Sequence, residues 1–454
     1  MSDGCDGRGK GDCGDGTPKH DPADGAPLRT DLTPIIGAIA EAGADAFVAV
    51  GDRFDDGLRY LTRFCGPDRA YALVVVPVDD FAGRAVLCAP SLFREQAERD
   101  FVASARTRTD DRDFHDGVVR EVRTDGVGDH AGERAAAVVC DLLADSDRDG
   151  DRDGAAESDG DRTLLVPPSI PHDAAVYLER AGNDLSSTDA VETARERKTD
   201  AEIDRLRRVQ RAAVAGTARA ETVLAESEVG EAEPAGETDA GRRPALRWNG
   251  GRLTTERLRR EVNAVLAARG VGDAGDTVIG SGPSAADLHF VGDVPIRAGE
   301  TVLLDVSPRG PDGYRGDLTR TFVVDGDGGW ERRASVAVES AREAALAEIE
   351  PGATAARVHG EAAAELAAYG FDPNAGEGGV GFTHDTGHGV GVSLHEWPSL
   401  SGGAELRPGT AVAIEPGVSD PNVGGVRVAD LVVVTEDGYE VLAEYPIGIV
   451  PRTR

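Results

Sequence analysis

The stretch LLDVSPRGPDGYRGDLTRTF (303–322) sets a carboxylate, Asp305, inside the apolar run TVLLDV, turns through PRGPDG, and returns along a second strand-like run beginning at Asp317. A lone carboxylate in an apolar strand is expensive to bury, so Asp305 needs a reason to be there. Proline and glycine at the turn positions predict a hairpin, which would pair the two runs and bring Asp305 and Asp317 close. Two neighbouring buried carboxylates repel unless a cation or a proton sits between them. Further along, AVAIEPG (411–417) repeats the theme with Glu415 at the end of an apolar strand. THDTGHGVGVSLHE (383–396) offers His388 from a loop whose glycines permit close backbone approach. Asp305, Asp317, His388 and Glu415 together form a donor set of hard oxygens and imidazole. Such a set suits Mn, Co, Fe or Zn and suits copper(I) or iron–sulfur clusters poorly. Spacing alone leaves open the alternative of polar residues scattered through a core.

Strand and helix patterns surround this stretch in two groups. Ahead of it come a helix near Pro34–Ala42, strands at Ala46–Asp52, Tyr71–Pro77 and Arg84–Pro90, a helix from Phe93 to Ala103, and a strand at Thr163–Ser169. That alternation predicts a small α/β domain over residues 31–195. A long helix follows from Asp200 to about Leu224, then a helix at Thr254–Arg269 and strands near Thr277–Gly280, Thr301–Val306 and Leu318–Val324. Helices at Glu331–Ile349 and Thr354–Tyr369 precede strands at Ala411–Glu415, Val426–Thr435 and Glu440–Ala443, which predicts an α+β domain over 198–454. Residues 1–30 read as a disordered acidic tail, and 145–162 and 226–241 as acidic surface insertions. Of nine histidines, His289, His384, His388 and His395 fall in Gly-rich or loop-like segments of the second domain. His359 lies there too, on a predicted helix outside the motifs, where its replacement is expected to matter little.

Charge narrows the setting. There are 82 Asp and Glu against 49 Lys and Arg, a net charge of −33, and the only lysines are Lys10, Lys19 and Lys198. Such a surface repels nucleic acid and anionic lipid, so neither is expected as a partner. The acid-rich, lysine-poor composition resembles that of haloarchaeal cytoplasmic proteins, where concentrated salt screens self-repulsion. No apolar run is long enough to cross a bilayer and no signal-peptide core opens the chain, so a cytoplasmic location is expected. The cysteines, Cys5, Cys13, Cys65, Cys88 and Cys140, form no CxxC pair and lie in the first third, so thiol chemistry is not expected beyond residue 200.

Five motifs stand in order over about 160 residues: SGPSAADLH (281–289), DVSPRGPDGYRGDLTRTF (305–322), FTHDTGHGVGVSLHEWPSL (382–400), LRPGTAVAIEPGV (406–418) and GGVRVADLVVVTEDG (424–438). With them the second domain resembles the pita-bread metallopeptidases, a family that includes aminopeptidase P, Xaa-Pro dipeptidase, methionine aminopeptidase and the metal-free creatinase. The first domain is similar to the creatinase and prolidase N-terminal domain, most visibly in DDGLRYLTRF (55–64). This two-domain layout favours the proline-specific branch. The resemblance implies that Asp305, Asp317, His388 and Glu415 are metal ligands, with Asp317 bridging two ions in the full family pattern. It implies that His289 and His395 orient substrate and stabilise the transition state, that His384 opens the HxTGHG motif of the site, and that Glu415 also takes the proton of the attacking water. The implied substrate is a peptide with proline second, cleaved at the Xaa-Pro bond, and a homodimer is the implied assembly.

Two departures bear on that expectation. Eleven residues separate Asp305 from Asp317, one more than the usual family spacing, and the extra residue fits in the PRGPDG turn without changing strand register. More seriously, the family's second metal-bridging glutamate falls at Ala429 in GVRVAD. Asp430 is no substitute, because adjacent strand residues point to opposite faces. One tight ion (Mn, Co or Zn) and a weak or absent second are therefore expected. Two other readings stay open: a metal-independent pita-bread hydrolase acting on another small amide, and a catalytically silent binding or structural protein.

Overall fold

A computed structural model describes residues 28–79, 82–103, 116–125, 129–149, 162–231, 243–376 and 378–453. Most of the acidic tail and the centres of both acidic insertions fall outside these residues.

The first half is built on one six-stranded sheet. Its strands are β1 (Ala46–Gly51), β2 (Tyr71–Asp79), β3 (Ala82–Pro90), β4 (Val118–Asp125), β5 (Arg162–Val166) and β6 (Asn183–Ser187), in the order β4-β3-β2-β1-β5-β6. β1, β2 and β3 run antiparallel as a meander, while β4, β5 and β6 join in parallel. The sequence of β1, AFVAVG, is apolar throughout because both of its faces are covered. Phe47 and Ala49 pack with Ile35, Ile36 and Ile39 of the helix Thr33–Ala42. Ala46, Val48 and Val50 pack with Ala135, Val139 and Leu142 of the helix Ala131–Asp149. The period of two sorts one strand between two cores. The helix expected over Phe93–Ala103 is an irregular run instead, a 3-10 turn at Ser91–Phe93, one α turn at Arg94–Ala97 and a π turn at Glu98–Ala103.

The second half opens on the helix Asp200–Ala225, started by a capping box in which Thr199 and Glu202 satisfy each other's backbone N–H groups. Gly216 lets this helix close on Val262 and Leu266 of the helix Thr255–Ala268, where a Cβ would meet Val262 at 3.0 Å. A small sheet, β7 (Glu228–Val229), β8 (Leu246–Trp248) and β9 (Gly251–Arg252), caps that pair. Strands β10 (Thr277–Ser281), β11 (Thr301–Val306) and β12 (Leu318–Val323) form an antiparallel sheet. The expected hairpin is present: Val306 faces Leu318 and Asp305 faces Thr319. The remaining strands are β13 (His388–Gly389), β14 (Glu396–Ser399), β15 (Ala411–Ile414), β16 (Gly417–Asp420), β17 (Gly424–Arg427), β18 (Asp430–Thr435) and β19 (Gly438–Val441). They form a five-stranded sheet, β14-β13-β15-β18-β19, and a β16-β17 ribbon. Helices Trp330–Ala347 and Ala355–Ala368 cover one side over an aliphatic core.

The expected single strand Val426–Thr435 is in fact two. β17 pairs with β16, and β18 pairs with β15, so the chain changes partner sheet at Val428–Ala429. Continuous apolar character says only that both stretches are buried, not that they share a sheet.

A buried polar cluster ties the halves together. Arg63 sits in the left-handed region (φ 55°) at the end of the helix Asp56–Thr62, a place where glycine is the usual residue. Its guanidinium reaches Glu202 Oε1 at 2.9 Å and Tyr314 OH at 2.7 Å, and Tyr314 OH donates to the same carboxylate. Burial opposes ionisation of Glu202, but Arg63 and the Tyr314 hydrogen bond outweigh it and hold its carboxyl below the usual range. The ionised pair therefore stabilises the fold fully above the unfolded glutamate's pKa of 4.5, and that gain is lost as pH falls through the lower folded value. Glu202→Gln is expected to cost about 3–5 kcal/mol at neutral pH, because Arg63 is left buried without its counter-charge. Urea unfolding at stepped pH checks this: the gap between wild type and variant should narrow as the pH falls from 4.5 to the lower folded pKa, and a constant gap would count against it.

Among the described residues no helix is long and apolar enough to cross a membrane.

Candidate functional site

Asp305, Asp317, His388 and Glu415 all line one cavity of about 350 Å³, together with His289, His384 and His395. Every residue that the sequence singled out for chemistry thus meets in one place. Asp305 is on β11, and Asp317 lies one residue before β12, across the hairpin. His388 opens β13, at a break in register against β14 of the kind that re-aims a side chain. Glu415 follows β15, its N–H donating to the Thr386 carbonyl at 2.7 Å.

Local chemistry prepares these groups. His388 Nδ1 lies 3.0 Å from the Gly389 carbonyl, which can only accept, so Nδ1 carries the proton. In the neutral ring Nε2 then presents a lone pair, as a metal-ligating histidine requires. That Nε2 stands 3.3 Å from Glu415 Oε1 and 3.7 Å from Asp317 Oδ2. His384 is fixed the same way, Nδ1 to the Asp385 carbonyl at 2.8 Å. Gly417 leaves room for the other side of that ring, since a Cβ there would stand 3.0 Å from His384 Nε2.

The electrostatics are those of a crowded anion site. Burial, then Asp305 and Glu415, push the Asp317 carboxyl well above the carboxylate range. Asp305 is raised by burial and by Glu415 despite its 2.5 Å ion pair with Arg427. Burial works against Glu415 as well, but the His388 hydrogen bond and the Arg427 charge overcome it and bring Glu415 down to about 2. The same contact raises His388 to about 9 against burial. Burial lowers His384 and His395, so both rings are neutral near pH 7.

Among the described residues no three His, Cys, Asp or Glu side chains already surround a point in the manner of a bound ion. The acidic groups are instead paired off, Asp305 with Arg427 and Glu415 with His388. Asp317 is the remainder, a carboxylate only 3 % exposed whose one ion-pair contact among the described residues is His388 at 3.7 Å. A carboxylate so placed calls for a cation, and Asp317, His388 and Glu415 are oxygen and imidazole donors of the kinds that ligate divalent ions. Asp305 does not extend that set freely, because the Arg427 guanidinium already meets it.

Ala429, the position to which the resemblance assigns a second glutamate, is fully buried. Its N–H donates to the Thr319 carbonyl at 3.0 Å, and Thr319 in turn faces Asp305. Opposed residues of an antiparallel ladder share a face, so Ala429, Thr319 and Asp305 form a row toward the site. Asp430 turns the other way, into buried ion pairs with Arg320 (2.7 Å) and Arg342 (2.5 Å).

Arg427 was not singled out by the sequence, although it stands inside the GVRVAD motif two residues before Ala429. Its burial beside an excess of carboxylates is seen only in the fold. Asp276 and Arg315, an ion pair of 2.5 Å on the flank of the site, gave no sequence signal at all.

Comparison with known proteins agrees with this architecture. A family model described as metallopeptidase family M24 matches residues 204–436. The chain is 34% identical over 181 residues to "Probable dipeptidase PepE" of Mycobacterium tuberculosis, covering 39% of this chain and 46% of that protein. It is 36% identical over 172 residues to "Xaa-Pro dipeptidase" of Pyrococcus furiosus, covering 37% and 47%. The chain thus spans about half the length of the curated relatives it matches. The structure of the prolidase from Pyrococcus horikoshii superposes with a TM-score of 0.69 at 21% identity, over 92% of this chain and 99% of that one. Dipeptidase PepE from Mycobacterium ulcerans gives a TM-score of 0.67 at 25% identity, over 92% and 96%. These neighbours extend the shared fold through both halves, a pita-bread domain behind a smaller α/β domain. On the matched segment of 204–436, which holds every acidic and histidine ligand candidate, the chain belongs to metallopeptidase family M24.

Proposed function

We propose that the chain is a metal-dependent peptidase cleaving the Xaa-Pro bond at the N-terminus of peptides, with residues 198–454 as its catalytic unit and 31–195 as a separate N-terminal domain. The observation that carries this reading is the meeting of Asp317, His388 and Glu415 with His289, His384 and His395 in one cavity of an M24 chain. In this reading Asp317, His388 and Glu415 hold one Mn, Co or Zn ion, and Arg427 supplies the positive charge at Asp305 where a second ion lacks its glutamate. The bound ion contributes Lewis acidity toward a carbonyl and lowers the pKa of water.

The chain's own groups do the rest. Glu415, held ionised, is in the state a proton acceptor needs. Neutral His395 keeps an N–H to offer an oxygen as negative charge builds on it, while neutral His384, its proton committed to the Asp385 carbonyl, presents Nε2 as an acceptor. Leu288, Val291 and Leu394 line the same cavity and give a proline ring an apolar wall. In this reading the work goes on in a salt-rich cytoplasm, and the net charge of −33 supports the salt-rich part of it.

A second reading, hydrolysis without metal or no catalysis, draws on Ala429 and on the Arg427–Asp305 pair. One assay separates them: cleavage of Xaa-Pro peptides and of matched Xaa-Ala peptides in molar KCl, with Mn or Co and with chelator. Metal-dependent cleavage of the proline peptides alone is expected. Cleavage indifferent to chelator would favour the metal-independent reading, and no cleavage under any metal would favour the silent one.

A further inference from the structure

The helix Ala355–Ala368 carries His359, which lies outside the cavity and outside every motif. Its Nδ1 is 2.9 Å from Thr386 Oγ1 and 3.3 Å from the Thr386 backbone N. A backbone N–H can only donate, so Nδ1 is the acceptor and the ring proton of the neutral histidine sits on Nε2. Thr386 is completely buried, in the loop between His384 and His388. Its carbonyl receives the Glu415 N–H at 2.7 Å. The next residue, Gly387, lies so close to the neighbouring strand that a Cβ would stand 1.8 Å from the Ala413 carbonyl oxygen. The loop is therefore pressed against β15 on one side and hooked by His359 on the other. A second contact reaches the same loop: the His359 ring lies 5.7 Å from the Phe382 ring, and Phe382 meets His384 edge-on at 5.1 Å.

We propose that His359 is a positioning residue, which holds the 382–388 loop at Thr386 so that His384, His388 and Glu415 face their common cavity. The proposal deepens the peptidase reading and rests on it only where activity is measured. The sequence pattern gives this helix residue no role, and its contacts with Thr386 and Phe382 argue for one. Removing the acceptor strands a buried N–H and hydroxyl of Thr386, and the loop can regain partners for them only by shifting. Loss of an outer hydrogen-bond partner of a metal site typically costs about 10–100-fold in affinity or turnover.

Two variants of the full chain in molar KCl separate positioning from packing. His359→Phe keeps the ring volume and the Phe382 contact but removes the acceptor. His359→Asn places an amide oxygen near the position of Nδ1. Amide hydrogen exchange over residues 382–390 and 411–418 is read alongside Mn(II) titration and the kcat and KM for an Xaa-Pro peptide. His359→Phe should speed exchange in both segments, weaken Mn(II) about tenfold and lower kcat more than it raises KM, and His359→Asn should restore most of each. Should His359→Phe fail to fold, Thr386→Val removes the hydroxyl from the other side and should speed exchange in the same two segments. Exchange unchanged in His359→Phe, or equal impairment in the Phe and Asn variants, would overturn the proposal. A wild-type chain that binds no Mn(II) and cleaves no peptide would instead overturn the peptidase reading, and exchange would still decide the role of His359.

Discussion

His388→Ala is expected to abolish tight Mn(II) binding, with a loss well beyond the 10–100-fold that an outer hydrogen-bond partner costs, and to remove peptide cleavage with it. His388 is the one nitrogen donor in the proposed ligand set, and its Nδ1–H is already committed to Gly389, so Nε2 is the atom it offers. Without it Asp317 and Glu415 are two carboxylates that repel, and Glu415 loses the hydrogen bond that is the largest influence holding it ionised. The fold should survive, because His388 lies on the cavity wall and belongs to none of the apolar cores. His289→Ala is the matching control. His289 is exposed at the edge of the same cavity and touches none of the ligand candidates at bonding distance, so Mn(II) binding should be retained while turnover falls. Calorimetric titration of both variants in molar KCl tests the pair. Equal loss of metal in the two, or retention in both, would remove His388 from the ligand set.

How far the site was legible depends on which residues sit in local patterns. The Asp305–Asp317 hairpin could be read because proline and glycine mark its turn and both arms are apolar, and the two runs do pair, Val306 with Leu318. Glu415 and His388 could be read because each breaks an apolar or glycine-rich run. The break at Val428–Ala429 could not, since VRVADLVVV is apolar on both sides of the point where the chain leaves one sheet for another. His359 was invisible for a different reason. Its partner Thr386 is 27 residues away, and nothing in the helix Ala355–Ala368 distinguishes a ring that leans on a loop from one that leans on solvent. Arg63 is the converse case: an arginine at a helix end reads as surface, yet its left-handed backbone and its contacts with Glu202 and Tyr314 show a residue chosen for its reach.

Ala429→Glu is expected to raise the number of tightly bound Mn(II) ions from one to two, and to make the folded chain dependent on them. The row Asp305, Thr319, Ala429 runs across β11, β12 and the link between β17 and β18 on one face, so a glutamate at 429 would extend toward Asp305 and the cavity. The backbone there is held on both sides, the N–H to the Thr319 carbonyl and the carbonyl to Arg320 Nη1 at 2.8 Å, so the new side chain cannot swing the strand outward. In chelator the variant would crowd a fourth carboxylate against Asp305, Asp317 and Glu415 with Arg427 as the nearby cation, and a loss of about 3–5 kcal/mol is expected for an uncompensated buried charge. Metal should reverse that loss. An ion present at about 1,000 times its dissociation constant returns about 4.1 kcal/mol by mass action, so the variant's melting temperature should lie well below wild type in chelator and approach it in excess Mn(II). Turnover on an Xaa-Pro peptide should rise in the same titration. The competing outcome is chemically specific: the new carboxylate could take Arg427 away from Asp305 and leave the ion count at one. That result, or two tight ions already present in the wild-type chain, would show that Ala429 does not set the metal stoichiometry.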